Sequence, residues 1–284
     1  MDPASDTWPA PAKLNLFLHV TGRRDDGYHD LQTLFQLLDW GDEVRVHADR
    51  TGVIRRAGQD YGVPEQQDLA IRAAELLKRE TGVSGGAEIR VHKRIPMGSG
   101  LGGGSSDAAT VLLVLNQAWG CGLDKDELAA LGAGLGADVP VFVCGNSAMA
   151  GGIGEKLEPV ALGERYYVLV FPEFSVSTAQ VFADRDLKRN SQSIDTQAAI
   201  AGHGHNDCQP VVEKRFPAIR RMLRSLEKWG RPAMTGTGST IFIPMEGKKH
   251  ALIAARQIKS LYNSRAVRGV DRSPVHEKLY TGGT

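Results

Sequence analysis

The segment Pro96-Met97-Gly98-Ser99-Gly100-Leu101-Gly102-Gly103-Gly104-Ser105-Ser106-Asp107 most constrains what chemistry this chain can do. Glycine lets backbone N–H groups come close to a ligand in conformations other residues avoid. The apolar run Ala108–Leu115 that follows reads as a helix, entered at Ser105-Ser106-Asp107. Its first amides have no intrahelical partner and its dipole is positive at that end, which together favour a phosphate. A purely flexible linker needs neither the strand before this loop nor the apolar helix after it. The loop is not a Walker A motif, because no lysine follows Gly104. Gly98-x-Gly100-x-x-Gly103 matches a dinucleotide fingerprint, and Asp124 lies near the offset for its acid. The context disagrees: Glu88–His92 alternates polar and apolar, and Asp124 opens a helix where a second parallel strand should end. An oxidoreductase is therefore the weaker reading. Asp138, two residues before Pro140, is on pattern alone either a general base or a helix N-cap. Lys13 and Asn15 fall on the polar side of an alternating stretch, ordinarily a solvent-facing position. Tyr28 and Phe182 are isolated aromatics, whose usual place is a core or its rim.

The elements that must position these groups follow from periodicity. Leu14, Leu16, Leu18 and Val20 alternate with Lys13, Asn15, Phe17 and His19, predicting a half-buried strand. Val44 with Val46, and Ile89 with Val91, predict two more. Asp68 caps a predicted helix that carries Leu69, Ala73, Leu76 and Leu77 and stops at Gly82. Asp124 and Glu127 form a capping-box pair. Tyr166–Phe171 is a buried strand, and Ile241–Pro244 ends another. Phe216, Ile219, Leu223, Leu226 and Trp229 recur at helical spacing, and Leu252–Leu261 is a further helix. The polar stretch Asp184–Gly204 has little periodicity and reads as a long surface excursion. Strands and helices mix without a clean βαβ repeat, so the expected class is α+β. The change of texture at Leu157–Gly163 places a boundary between domains 1–160 and 161–284.

Composition narrows the classes. The 284 residues carry a net charge of +1 with acids and bases interspersed, which argues against a nucleic-acid surface. Arg215, Arg220, Arg221 and Arg224 read as one solvated helix face. Cys121, Cys144 and Cys208 are separated and odd in number, so neither a disulfide frame nor a zinc site is expected. Cys208, beside Asn206 and Asp207, reads as a buried inert thiol. The opening Met1–Asp6 lacks a basic stretch leading an apolar one, and no run reaches about 18 apolar residues. A soluble cytoplasmic protein without membrane contact is the expectation; oligomeric state is not readable.

Three segments together resemble the GHMP family of small-molecule kinases: Pro11-Ala12-Lys13-Leu14-Asn15-Leu16, the loop Pro96–Asp107, and Thr235-Gly236-Thr237-Gly238-Ser239. Leu16–His29, Leu31–Gln36 and Gly136–Phe142 resemble one branch of it, which phosphorylates the 2-hydroxyl of a cytidyl-diphospho sugar alcohol in the non-mevalonate isoprenoid route. A homoserine- or mevalonate-type kinase is the near alternative, and Gly27-Tyr28-His29 is the discriminating segment. The resemblance implies an N-terminal domain of ribosomal-protein-S5-like fold, a ferredoxin-like C-terminal domain and an active site in the cleft between. ATP is the implied donor, with Mg²⁺ expected and its ligands unassigned. Its implied contacts are Lys93, Pro96, Met97, Gly98, Ser99, Gly100, Leu101, Gly102, Gly103, Gly104, Ser105 and Ser106. Asp138 is the implied general base, with Lys13 reaching it to offset developing charge and Asn15 orienting both. Tyr28, His29 and Phe182 are implied at the cytosine, and Thr178 at the sugar-phosphate end. Ser99, Asp107 and Ser239 depart from the family's common residues. Asp107 adds a negative charge that a metal would have to offset.

Overall fold

A computed structural model describes residues 7–281; Met1–Asp6, on which the expectation of no secretory leader rests, lies outside the described residues. The alternating N-terminal stretch forms β1 (Thr7–Arg23), paired antiparallel along its length with β2 (His29–Asp49). Half-burial is the wrong expectation for β1. Lys13, Asn15 and His19 are each only 3% exposed, because loops from both halves of the chain cover the polar face. Register shifts at Pro11/Lys13, Asn15/Leu18 and Val20/Gly22 also interrupt strict alternation of the faces.

β3 (Ile54–Arg56) is followed by α1 (Leu69–Thr81), capped by the Asp68 side chain on the Ala70 amide and closed at Gly82, whose φ is 69°. After β4 (Gly86–His92), α2 (Gly103–Ala118) starts two residues earlier than the sequence predicts, at the last glycines of the loop. α3 (Lys125–Ala133) has the expected capping box, and α4 (Val139–Cys144) is a short helix opened by Pro140. Next come β5 (Ala148–Gly151), β6 (Lys156–Pro159), β7 (Arg165–Phe171) and α5 (Thr178–Phe182). α6 (Thr196–Ile200), α7 (Cys208–Arg215), α8 (Pro217–Leu226) and β8 (Ala233–Met234) lead to β9 (Ile241–Met245). α9 runs over Lys248–Ile258, four residues ahead of the predicted helix, leaving Leu261 exposed past its end. β10 (Asn263–Val270) and α10 (Pro274–Thr281) complete the fold.

One sheet links everything, in the order β3-β4-β2-β10-β7-β9-β8, with β1 and β5 paired to β2 and β6 to β5. β3–β4 is parallel and the other pairings are antiparallel, so the class is α+β. One core packs α1 and α2 against β2 and β4 through residues such as Leu77, Ile89, Leu112 and Phe142. A second packs α8 and α9 against β7 and β9 through Val168, Leu226, Ile243 and Ile258. Each such side chain contributes roughly 1.5–3 kcal/mol on burial. The cores exchange segments across residue 160: Val275 joins the first, Leu18 and Val20 the second.

The stretch Asp184–Gly204 is not a free excursion. It is a strap across β1 and β2, with Leu187, Ser191 and Ala199 buried and the Ser191 amide donating to Val20 O at 3.0 Å. Gln32 makes two 2.9 Å hydrogen bonds with the Ile194 backbone, one in each direction. These polar ties replace apolar periodicity, which is why the pattern looked featureless.

Candidate active site

The three motifs meet at one cleft of about 450 Å³, whose walls include Lys13, Asn15, Tyr28, His29, Ser105 and Asp138. The glycine loop takes its path from close contacts. A Cβ on Gly100 would lie 2.5 Å from Thr235 O, and one on Gly102 would lie 2.9 Å from the Phe142 ring; both have φ above 70°. Thr240 N donates to Ser99 O at 3.1 Å, stitching the loop to the Thr235–Ser239 turn, and Asn15 N donates to Thr235 Oγ1 at 2.8 Å. At the mouth of α2 the N-cap Gly102 offers no side-chain cap. The amides of Gly103, Gly104 and Ser105 are left without an intrahelical partner. Gly104 is exposed and Ser105 lines the cleft, whereas Ser106 is fully buried with an unpartnered hydroxyl.

Asp138 occupies the N-cap position of α4, yet its side chain caps nothing. It pairs instead with Lys13 Nζ at 3.2 Å, so the N-cap reading of its side chain does not hold. Lys13 also donates to Asn15 Oδ1 at 2.6 Å and Gly100 O at 3.1 Å, with the Phe35 ring 5.4 Å away. Asn15 Nδ2 in turn donates to Thr33 Oγ1 at 3.0 Å. The ammonium is thus fixed in a dry setting by three oxygens, while Asp138, 34% exposed, faces the cleft. Thr33 and Phe35 lie in the Leu31–Gln36 segment, and their alternation on β2 is the only local sign that they share a face.

At the other end, Gly27 (φ 88°) turns the chain so that Tyr28 stands 60% exposed while His29 is buried. The His29 ring stacks on Phe182 at 5.2 Å and 27°, so the intimate aromatic pair is His29–Phe182, with Tyr28 free on the rim. Burial, Arg189 and Arg23 push the His29 imidazole below its ordinary range. Thr178 and Thr237 share a 2.9 Å hydroxyl contact beside Phe182. Arg189, deep in the strap, gives no sequence signal.

Behind the loop, Lys93 is held by Asp42 and, at 2.7 Å, by Asp107. The expectation that a metal must offset Asp107 therefore fails: Lys93 does so, and its ammonium is committed there. Burial pushes the Asp107 carboxyl up to about 7, with Lys93 opposing and Asp42 adding to the rise. Ser239 donates to Phe174 O at 2.7 Å, and Ser99 serves through its carbonyl. Among the described residues, no group of three or more His, Cys, Asp or Glu side chains could hold a metal ion. Among the described residues lining the cleft, Asp138 is the single carboxylate, and it is already paired with Lys13. This donor set does not make a protein-held magnesium site.

The GHMP kinases N terminal domain model matches residues 68–146, and the GHMP kinases C terminal model matches 185–264. This chain belongs to the GHMP kinase family. It is 48% identical over 273 residues to the 4-diphosphocytidyl-2-C-methyl-D-erythritol kinase of Pseudomonas aeruginosa (strain PAO1), covering 96% of this chain and 97% of that one. The kinase of the same name from Halorhodospira halophila is 47% identical over 275 residues, 96% of each chain. A crystal structure of 4-(cytidine 5'-diphospho)-2C-methyl-D-erythritol kinase superposes with a TM-score of 0.81 at 36% identity, over 93% of this chain and 100% of that one. A homoserine kinase from Cytophaga hutchinsonii, at 17% identity and a TM-score of 0.70 over 96% of both chains, shares the fold.

Proposed function

We propose that this chain transfers the γ-phosphoryl group of ATP to the 2-hydroxyl of 4-diphosphocytidyl-2-C-methyl-D-erythritol, with Asp138 as general base. The observation that carries the catalytic assignment is the Lys13–Asp138 contact, 3.2 Å long, with Lys13 also bonded to the glycine loop at Gly100. Phosphoryl transfer asks a protein chiefly for positioning and charge stabilisation. The free amides of Gly103, Gly104 and Ser105 and the Ser105 hydroxyl receive the triphosphate, within the loop Pro96–Ser106. Asp138 takes the proton of the acceptor hydroxyl, its oxygen attacks the γ-phosphorus, and ADP leaves. Lys13, held by Asn15, neutralises charge developing beside the base. Tyr28, His29 and Phe182 receive the cytosine, and Thr178 lies toward its phosphates. Magnesium would enter with the nucleotide, because no group of three or more His, Cys, Asp or Glu among the described residues could hold it.

Lys93 supports the loop through Asp107, its ammonium being held by Asp42 and Asp107 and not turned to the adenine. The three free, separated cysteines suit a reducing compartment, and we place the enzyme in the cytoplasm. Among the described residues no helix is long and apolar enough to cross a membrane. The test is a panel assay with ATP and three acceptors, reading ADP release and phosphorylated product by mass spectrometry. Turnover with the cytidyl acceptor, and none above background with homoserine or mevalonate, is the expected result. Phosphorylation of either small acceptor with an inert cytidyl compound would sink the reading.

A further inference from the structure

Two of the oxygens that grip the Lys13 ammonium, Asn15 Oδ1 and Gly100 O, are backed by one small turn. Gly236, at a φ of 56°, comes so close that a Cβ there would lie 3.1 Å from Asn15 Oδ1 and 3.2 Å from Gly100 O. Its neighbours press on the same two residues. Thr235 Oγ1 accepts the Asn15 amide at 2.8 Å, and Gly238 O would meet a Cβ on Gly100 at 3.0 Å. Close-packed contacts of this kind transmit small displacements. A shift of the turn would therefore reach the lysine that pairs with Asp138.

Asn206 ties this turn to the strand that bears the lysine. Its Nδ2 donates to Met234 O at 2.7 Å and to Gly236 O at 2.8 Å, while its Oδ1 accepts the Cys208 amide at 2.9 Å. Both amide protons and the carbonyl are used, so a single orientation of the carboxamide satisfies every partner. The backbone on either side of Asn206 is fastened to β1. Leu18 N donates to His205 O and Asp207 N to Leu18 O, each at 2.9 Å, and Val20 N donates to Asp207 Oδ2 at 2.8 Å. The same strand carries Lys13 and Asn15. Asn206, buried and absent from the walls of the cleft, thus sets the spacing between β1 and the turn.

We propose that Asn206 is a positioning residue for phosphoryl transfer, holding Gly236 where it keeps Asn15 and Gly100 closed on the Lys13 ammonium. Its loss leaves Asp138, the glycine-loop amides and the acceptor walls in the chain. The expected damage is to charge stabilisation during the transfer, with binding little changed. Aspartate has nearly the same shape and still accepts from Cys208 N, but its carboxylate has no proton for Met234 O or Gly236 O. Those two buried carbonyls would then face oxygens without a donor, which is destabilising locally. Asn206→Asp therefore separates the hold on the turn from the hold on the start of α7.

This inference rests on the proposed function, because Asn206 acts through Lys13. Its test is a double-mutant cycle on kcat with ATP and the cytidyl acceptor, expressed per nucleotide-binding site counted by titration with ADP. The cycle compares wild type, Asn206→Ala, Asn206→Asp and Lys13→Met with each Asn206 substitution combined with Lys13→Met. We expect either Asn206 variant to lower kcat about tenfold or more, with KM for both substrates within about twofold. Once Lys13 is replaced, the same substitution should change kcat by less than about twofold, since residues acting as one unit are not additive. A merely structural role would lower kcat by the same factor in both backgrounds, and that result overturns the proposal. Turnover at the wild-type rate in Asn206→Asp overturns it too, because the Cys208 bond would then be the one that matters. Either variant completes a cycle alone, so one that fails to fold leaves the other to decide. Lys13→Met with wild-type kcat overturns the catalytic reading of the Lys13–Asp138 pair, and Asn206 with it.

Discussion

Lys13 and Tyr28 show what single residues do in this cleft and how differently a sequence reveals them. Lys13 has the alternation of a solvent-facing residue, yet it is buried, because loops folding over from Gly100 and Thr235 cover that face of β1. A period of two reports which residues share a face, not what later covers the face. The lysine's partners, Asn15 Oδ1, Gly100 O and Asp138, come from three separate stretches of chain. Nothing local could announce them; the resemblance of whole motifs did. Tyr28 is the opposite case, since its 60% exposure makes it a rim residue with no packing duty. Base–aromatic stacking is worth about 1–3 kcal/mol. Tyr28→Ala should accordingly raise KM for the cytidyl substrate about fivefold or more, leaving kcat and the melting temperature near wild type. An unchanged KM in steady-state kinetics would remove Tyr28 from base recognition.

At the scale of elements, the helix α2 and its loop act as one device. Glycines 98 to 104 and the apolar run after them were readable because backbone approach and helix entry both demand particular residue types. The polar support beneath was not. Asp107 looks like an unneutralised charge at a phosphate site, and its partners Lys93 and Asp42 lie 14 and 65 residues away along the chain. Two buried carboxylates share one ammonium there, so burial outweighs the ion pair and lifts Asp107 to about 7. The sign follows from proton counting. In the folded chain Asp107 keeps its proton to about pH 7, whereas unfolded it releases it near pH 4, so this group's contribution to stability falls as pH rises between those values. Asp107→Asn removes the titration while keeping the shape. Urea unfolding at pH 5, 6 and 7 should show the stability of wild type minus variant decreasing with pH. A difference that is flat or rises with pH would refute the assignment.

For the whole molecule, the sequence disclosed the class and most element positions, since capping residues such as Asp68, Asp124 and Gly82 mark boundaries chemically. It did not disclose how one sheet joins the two cores, because the pairing of β10 with both β2 and β7 links residues more than 200 positions apart in the first case. Nor did it show that the strap is the floor under His29 and Phe182, since its contacts are polar and aperiodic. The sheet brings a glycine loop from the first core, a turn from the second and the N-terminal strand to one cleft. The central claim is that phosphoryl transfer happens at their junction, with Asp138 taking the proton. The most direct measurement is kcat of Asp138→Asn with ATP and the cytidyl substrate, with nucleotide binding measured in parallel by titration. The account predicts a fall in kcat of about 10²-fold or more with ATP affinity close to wild type. Turnover near the wild-type rate would contradict it.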